Sequence, residues 1–367
     1  MVALLVSGPV AGAEAAKPRL VVLADMGNEP DEMQQMAHML ICSNTFEVEG
    51  LIAVTGKYMR PEDKNPYRRV THPELFHELI DAYAKVVDNL KKHATGWPEP
   101  DALRRVVTAG QAGYGIGDVG AGKSSAGSKL IIDVVTRKDA RPVWIVVNAG
   151  SNTLAQALVD YRAGHTAKEV DAFVAKMRVF ENGAQDNAGA WIASEFPKIH
   201  WIRSNYQTYA YGGPGGTDGD VSKGLGPHFW KPYEYSVEGQ NEWLKENVMK
   251  GHGALGDVFP ERRFGFQHGR GLGFMEGGGT VPWMGLVNGG LFDIEQPSWG
   301  DGAGVSRQRK WRRCGRGTET SGWMKRRCRH SMCTGKRATR GRMQRMGRSG
   351  AATTCRCGGG GRRCTRT

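Results

Sequence analysis

Short apolar runs and longer amphipathic stretches alternate along the first half of the chain. Arg19 to Ala24 (RLVVLA) is a continuous apolar run of the length and β-branched content of a buried strand. From Asp31 to Ser43, Met33, Met36, Ala37 and Leu40 recur at helical spacing, so a helix follows it. Val48 to Val54 reads as a second strand and Pro73 to about Lys92 as a long amphipathic helix. A Gly-rich loop follows around Gly110 to Gly127, then a helix from Ser128 to Arg137. Pro142 to Val147 (PVWIVV) is the most strand-like run of all and feeds a helix from Ser151 to Tyr161. Met177 to Phe180 and Ile199 to Ile202 are further short strands, with a helix from Ala188 to Phe196 between them. Repeated strand, loop and helix predict an α/β fold, Rossmann-like, with a mostly parallel sheet and helices on both faces. Ligands of such sheets bind at the carboxyl ends of the strands, so the loops after Ala24, Val147 and Phe180 are the places to search. From Ser204 to Gly290 the chain turns rich in Gly, Pro and aromatics, with helical character only near Gly239 to Met249. These residues read as loops capping the same domain, with a second domain as the alternative.

Charge divides the chain more sharply than hydropathy does. Residues 303–367 hold 20 Lys or Arg against one acid, Glu319, whereas the preceding 302 residues hold 30 bases and 36 acids. The formal net charge of +13 therefore belongs to the tail. From Ser306 onward there is no Ile, Leu, Val, Phe, Tyr, Pro, Asp or Asn, so the tail has too little to bury to offset the entropy of ordering. Six of the seven cysteines lie there without a C-x-x-C pair, which argues against a zinc site. Arg, Gly, Cys and Trp in this mixture are what a GC-rich gene yields out of frame. The codons GGA TGG GGC GGG CGT TTC read Gly-Trp-Gly-Gly-Arg-Phe. With one early G lost they read Asp-Gly-Ala-Gly-Val-Ser, which is the run from Asp301 to Ser306. The rival reading is a genuine basic tail that meets nucleic acid only non-specifically, through phosphates. At the other end, residues 1–16 resemble the back half of a secretory signal, with Ala13 and Ala15 as an A-x-A cleavage site; a simple Ala/Gly leader is the alternative. The expected division is a signal remnant at 1–16, one domain at 17–302 and a disordered basic tail at 303–367, the whole secreted or periplasmic. No run is long and apolar enough to span a membrane. Nothing in the sequence excludes a homo-oligomer.

The chemistry concentrates where the first strand ends. Residues 25–32, DMGNEPDE, crowd Asp25, Asn28, Glu29, Asp31 and Glu32 onto a turn and a helix start, a set of hard oxygen donors suited to calcium. Helix capping and the macrodipole account for Asp31 and Glu32 equally well, but leave Asp25, Asn28 and Glu29 unexplained. After PVWIVV comes NAGSNTLAQAL, where Ser151 and Asn152 are either site residues or ordinary helix caps. Glu181 to Asn187 (ENGAQDN) packs several hydrogen-bonding side chains behind a strand, a pattern that a surface turn shares. Trp191, Trp201, Tyr206, Tyr209, Tyr211, Phe229, Trp230 and Tyr233 are rings that would stack on sugar or simply pack. No H-E-x-x-H, nucleophile elbow or P-loop is present.

LADMGNEPDE resembles the amino-terminal acidic motif of nucleoside hydrolases. In the form D-x-G-N-x-P-D it is closer to the nucleoside-hydrolase-like domain of a cellulose-binding protein family. EVEGLIAVTGKY, HPELFHELIDAYAKVVDNLKKH, NTLAQAL, the Asp186 to Gly189 run, WIASEFP, GHGALGDVFP and PSWG carry the same resemblance across residues 19–300. It implies the nucleoside hydrolase fold and a mechanism in which calcium binds sugar hydroxyls and a water while a carboxylate takes the water's proton. Carried over by position, Asp25 and Asp31 become the candidate catalytic acids. Asp25, Asp31, Glu32 and the carbonyl of Ser151 become the metal ligands, and Asn28, Asn152, Gln185, Asp186 and Asn187 the substrate contacts. Two positions depart from the pattern. Gly27 stands where nucleoside hydrolases carry the Asp proposed as base, and the loop from Glu276 to Thr280 lacks the late acid, with Glu276 the nearest substitute.

Two functions follow from the resemblance. One is an exported, calcium-dependent hydrolase of N-glycosidic or related glycosidic bonds, acting on a nucleoside or carbohydrate. The other is a carbohydrate-binding, cellulose-binding protein that keeps the scaffold without the chemistry.

Overall fold

Apolar strands with β-branched side chains on both faces have no solvent side, so they pair into a sheet that helices must cover twice. The structure, a computed structural model, describes residues 16–27, 30–182, 185–204, 245–249, 251–259 and 280–287. Its strands are β1 (Arg19–Ala24), β2 (Glu47–Ala53), β3 (Val107–Ala109), β4 (Val143–Val147), β5 (Met177–Asn182) and β6 (His200–Ser204). They form one six-stranded sheet in the order β3-β2-β1-β4-β5-β6, and every pairing is parallel. The expected Rossmann-like α/β architecture is the one observed.

Alternation along each strand assigns its side chains to opposite layers. Leu20, Val22 and Ala24 of β1, with Trp144 and Val146 of β4, pack against α1 (Pro30–Ile41) and α2 (Glu74–Ala84). Val21, Leu23, Ile145 and Val147 face the other layer, made of α5 (Ala126–Thr136), α6 (Ser151–Gly164), α7 (Ala167–Ala175) and α8 (Ala188–Glu195). Met33, Met36, Ala37 and Leu40, the residues that predicted α1, are all buried in the first layer. Met33, Met36 and Met39 are all buried against the sheet, where their unbranched side chains adapt to the space between helix and strands.

The pattern misjudges three places. The helix expected from Pro73 to Lys92 breaks after Ala84, where the Lys85 and Val86 amides bond to Ala82 and Tyr83 in tighter i→i−3 fashion, and restarts as α3 (Val87–Leu90). Strand β3 has three residues, too few to show a period, and it follows α4 (Pro100–Arg104) in a stretch for which the sequence predicts no element. Helix α7 was missed although Thr166 and Glu169 form a capping box at its start. Of the helical stretch expected at Gly239 to Met249, only Lys245–Met249 falls within the described residues.

The amino ends of the strands are closed by ion pairs. A register shift between β1 and β2 leaves Glu49 without a Cα partner, and its carboxylate takes Arg19 and Arg137. Arg141 pairs with Asp139 and Glu47, and its guanidinium holds the Asp139 carboxyl well below the usual carboxylate range. A cleft of about 830 Å³ lies along this edge, lined by these already paired charges. The opposite, carboxyl edge is where polar side chains are buried. Among the described residues no helix is long and apolar enough to cross a membrane. The chain divides into two compact units, Met1–Arg313 and Cys314–Thr367, and the second lies outside the described residues.

Candidate functional site

Strand order places the crevice. From β1 the chain proceeds to β2 and β3 on one side, and from β4 to β5 and β6 on the other, so the loops leaving β1 and β4 diverge at their carboxyl ends. Ligands of open parallel sheets bind at this kind of switch point. The two residues standing there are Asp25 and Asn148. Asp25 follows the last residue of β1 and is fully buried, while Asn148 follows β4 and donates its backbone N–H to Leu23 O at 3.0 Å. The Asn148 side chain is 2% exposed, and neither its Oδ1 nor its Nδ2 has a hydrogen-bond partner among the described residues. An amide buried in this way costs about 1–3 kcal/mol unless something takes its hydrogen bonds.

Gly56, just past β2, brings other groups to the same spot. A Cβ there would lie 2.7 Å from Asp25 Oδ2, 2.7 Å from Gln185 Oε1 and 3.2 Å from the Ala149 methyl. Three of the strand-end loops therefore meet around a glycine because no side chain fits between them. Gln185 Oε1 also accepts the Lys57 N–H at 3.2 Å, and the Tyr114 hydroxyl donates to the Gln185 carbonyl at 2.9 Å.

The acids of α1 behave differently from ordinary dipole partners. Asp31 is fully buried and Glu32 nearly so, whereas acids that serve only a helix terminus can stay in water. A calcium site built on Asp25, Asp31 and Glu32 requires their carboxylates around one point. Among the described residues no three His, Cys, Asp or Glu side chains are grouped to hold a metal ion, so the three acids alone do not make that shell. Asn28 and Glu29 lie outside the described residues, as do Glu276 and its glycines.

The remaining expected contacts form a second, more occupied cluster. Asp186 is buried between two helix starts: Oδ2 accepts the Asn152 N–H of α6 at 3.1 Å and Oδ1 accepts the Ala188 N–H of α8 at 2.9 Å. Both oxygens are thus engaged by backbone, as anions at helix N-termini commonly are. Burial raises its pKa, with the Asn152 and Ala188 amides opposing the shift. Asn187 Oδ1 accepts the Ile116 N–H at 2.9 Å and so ties α8 to the loop after β3. Ser151 opens α6, so its carbonyl enters the helical ladder, and its hydroxyl donates to Glu181 Oε1 at 3.3 Å. Glu181 is buried, its pKa raised by burial against the opposing pull of Arg203, whose Nη2 lies 2.5 Å from Oε2. Asn152 is fully buried and donates from Nδ2 to the Gly113 carbonyl at 2.9 Å; its Oδ1 has no partner among the described residues.

Asp25 and Gln185 are thus brought together, Asn152 is tied to the Gly113 loop, and Asp186, Asn187 and Ser151 hold the frame. Trp201 is buried and donates from Nε1 to Glu181, and Trp191 packs edge-on against Phe196, so both are packing rather than stacking platforms. Tyr206, Tyr209, Tyr211, Phe229, Trp230 and Tyr233 lie outside the described residues. Sequence reasoning missed Asn148, although it directly follows the strongest strand signal in the chain and precedes the Ala149–Gly150 turn. It also missed Gly56, whose role is to be small.

Comparison with known proteins fits this frame. Residues 19–305 match the family described as cellulose-binding Sde182, nucleoside hydrolase-like domain. The chain belongs to this family. Among solved structures it is similar to a nucleoside hydrolase-related hypothetical protein from Saccharophagus degradans that is associated with carbohydrate metabolism. The two are 32% identical with a TM-score of 0.61, over 79% of this chain and 59% of that one. The chain therefore spans little more than half the length of that relative. No curated protein matches it.

Proposed function

We propose that the crevice between β1 and β4 binds a carbohydrate of the cellulose type and does not hydrolyse it. The observation that carries this reading is Asn148, a buried amide with no described partner beside the buried Asp25 carboxylate. Sugar hydroxyls are both donors and acceptors, so an amide and a carboxylate at one site satisfy them without a fixed ligand charge. Gln185, whose Oε1 lies with Asp25 Oδ2 around Gly56, extends the polar lining. The cellulose-binding description of the family supports the same ligand class. An exported protein, which the leader-like residues 1–16 favour, would meet such a ligand outside the cell.

A second reading, hydrolysis of a glycosidic or N-glycosidic bond, is favoured by one observation: Asp25, Asp31 and Glu32 are all buried at the carboxyl end of β1. Against it stands Gly27, which brings no carboxylate to the position of the expected base. Titration with cellohexaose, alongside a reducing-sugar assay and a ribose-release assay with inosine, separates the two. The binding reading expects cellohexaose affinity that falls roughly tenfold in Asn148→Ala and no turnover of either compound. Turnover that Asp25→Asn abolishes would establish the hydrolase instead.

A further inference from the structure

The Gly-rich loop after β3 holds one aromatic residue, Tyr114, between two glycines, and the ends of three other elements fasten it. The Gly113 carbonyl accepts the Thr55 hydroxyl at 2.7 Å, from just past β2, and Asn152 Nδ2 at 2.9 Å, from the start of α6. The Gly113 N–H donates to Asp118 Oδ2 at 2.6 Å. On the other side, Gly115 has φ of +62°, and a Cβ there would lie 2.4 Å from Asn187 Oδ1, the oxygen that accepts the Ile116 N–H ahead of α8. Conformation and space both require glycine at that position. The backbone on either side of Tyr114 is therefore fixed before any ligand arrives.

The clamped residue spends its hydroxyl on Gln185, whose carbonyl accepts it at 2.9 Å, and the Arg60 guanidinium lies over its ring, 5.1 Å from the centroid. Burial and Asp186 raise the Tyr114 pKa, with Arg60 and Lys57 opposing them, so the hydroxyl keeps its proton and donates at neutral pH. Gln185 is thus held at two points, its backbone by Tyr114 and its Oε1 by the Lys57 N–H at 3.2 Å. Both Oε1 and Asp25 Oδ2 lie 2.7 Å from the point where a Gly56 Cβ would stand, which sets the Gln185 amide beside the Asp25 carboxylate. With Oε1 facing a donor, Nε2 is the end left to donate, and among the described residues nothing accepts from it.

We propose that Tyr114 is a positioning residue of the carboxyl-edge crevice: its hydroxyl fixes the Gln185 backbone so that the Gln185 amide donates to a sugar oxygen beside Asp25, while Tyr114 itself does not touch the sugar. This rests on the carbohydrate-binding reading and states how the loops after β2, β3 and β5 act as one wall. A side chain whose backbone is already held loses less freedom when the ligand arrives, so more of the new hydrogen bond appears as affinity. Without the hydroxyl, Gln185 keeps only the Lys57 contact on its side chain, and that contact alone does not fix where the residue stands.

The test is a double-mutant cycle on the full chain, with Tyr114→Phe, Gln185→Ala and the two combined, using cellohexaose as probe, affinity by calorimetry and stability by thermal melting. Tyr114→Phe keeps the ring under Arg60 and removes only the hydroxyl. It is expected to weaken cellohexaose binding roughly three- to tenfold, and Gln185→Ala by about as much. In the Gln185→Ala background the further change Tyr114→Phe is expected to leave affinity where it is, because the amide that the hydroxyl positions is gone. A hydroxyl that only supports the fold would instead lower affinity by the same factor in both backgrounds, and that result overturns the proposal. Unchanged affinity in either single variant, with the parent protein binding, also overturns it and leaves the binding reading intact. A parent protein that fails to bind cellohexaose overturns both.

Discussion

Putting the missing carboxylate back is expected to damage the fold rather than restore chemistry. In Gly27→Asp the new residue must hold φ near +93°, a left-handed conformation that costs a non-glycine residue about 1–2 kcal/mol. Its Cβ would also stand 2.8 Å from Tyr67 Oη and 3.1 Å from His72 Cδ2, and neither ring is at the end of a flexible chain because each is stacked on the other. Displacing a packed pair costs about 1–3 kcal/mol, for a total of about 2–5 kcal/mol. At about 2–4 °C per kcal/mol for a domain of this size, the melting temperature should fall by roughly 4–20 °C. Circular dichroism melts of Gly27→Asp and of Gly27→Asp/Tyr67→Ala give the measurement. The double variant relieves the overlap and should recover part of the loss beyond that expected from adding the single effects. Ribose release from inosine should be absent in both. An unchanged melting temperature in Gly27→Asp, or its gain of nucleoside hydrolysis, would refute the reasoning.

Other consequences are separable. Asp186 and Glu181 have pKa values raised by burial, so the native state holds more protons than the unfolded chain above about pH 4; their contribution to stability declines as pH rises toward the native values. Urea unfolding of Asp186→Asn across this range should show a shallower decline, and lower stability at neutral pH because an amide nitrogen cannot accept from a helix N–H; an unaltered slope would contradict the assignment. Millimolar calcium separates the two readings: the binding reading expects an unchanged melting temperature, whereas a clear rise would mean that a native-state ion site exists and would revive the hydrolytic reading. Removing residues 303–367, which hold one Val and no Ile, Leu or Phe, should leave the melting temperature of the remaining domain unchanged or raised; a marked fall would show that the tail packs on it.

What the sequence disclosed follows from what has a period. RLVVLA and PVWIVV are buried on both faces and therefore read as continuous apolar runs, and the Met and Leu spacing of α1 leaves one solution. Strand β3 and the break at Lys85 escape because three residues, or one tightened turn, have no period to detect. The site was half legible. Asp25 is announced by an acid at a strand end, but Asn148 looks like any polar residue after a strand until the strand order puts β4 beside β1. Asp186 shows the opposite error: a cluster of polar residues after a strand reads as a ligand loop, yet its carboxylate is engaged by two helix N-termini that lie far apart in sequence. Tyr67 could not be read at all, because its place against Gly27 depends on a loop returning over a turn forty residues earlier.

A carbohydrate held between Asp25 and Asn148 at the β1–β4 switch point would be visible in a crystal structure of the protein grown with cellohexaose. Intact sugar is expected in that crevice, with hydroxyls within hydrogen-bond distance of the Asn148 amide and the Asp25 carboxylate. Sugar bound elsewhere with the crevice filled by the protein's own residues, or a cleaved product beside Asp25, would contradict it.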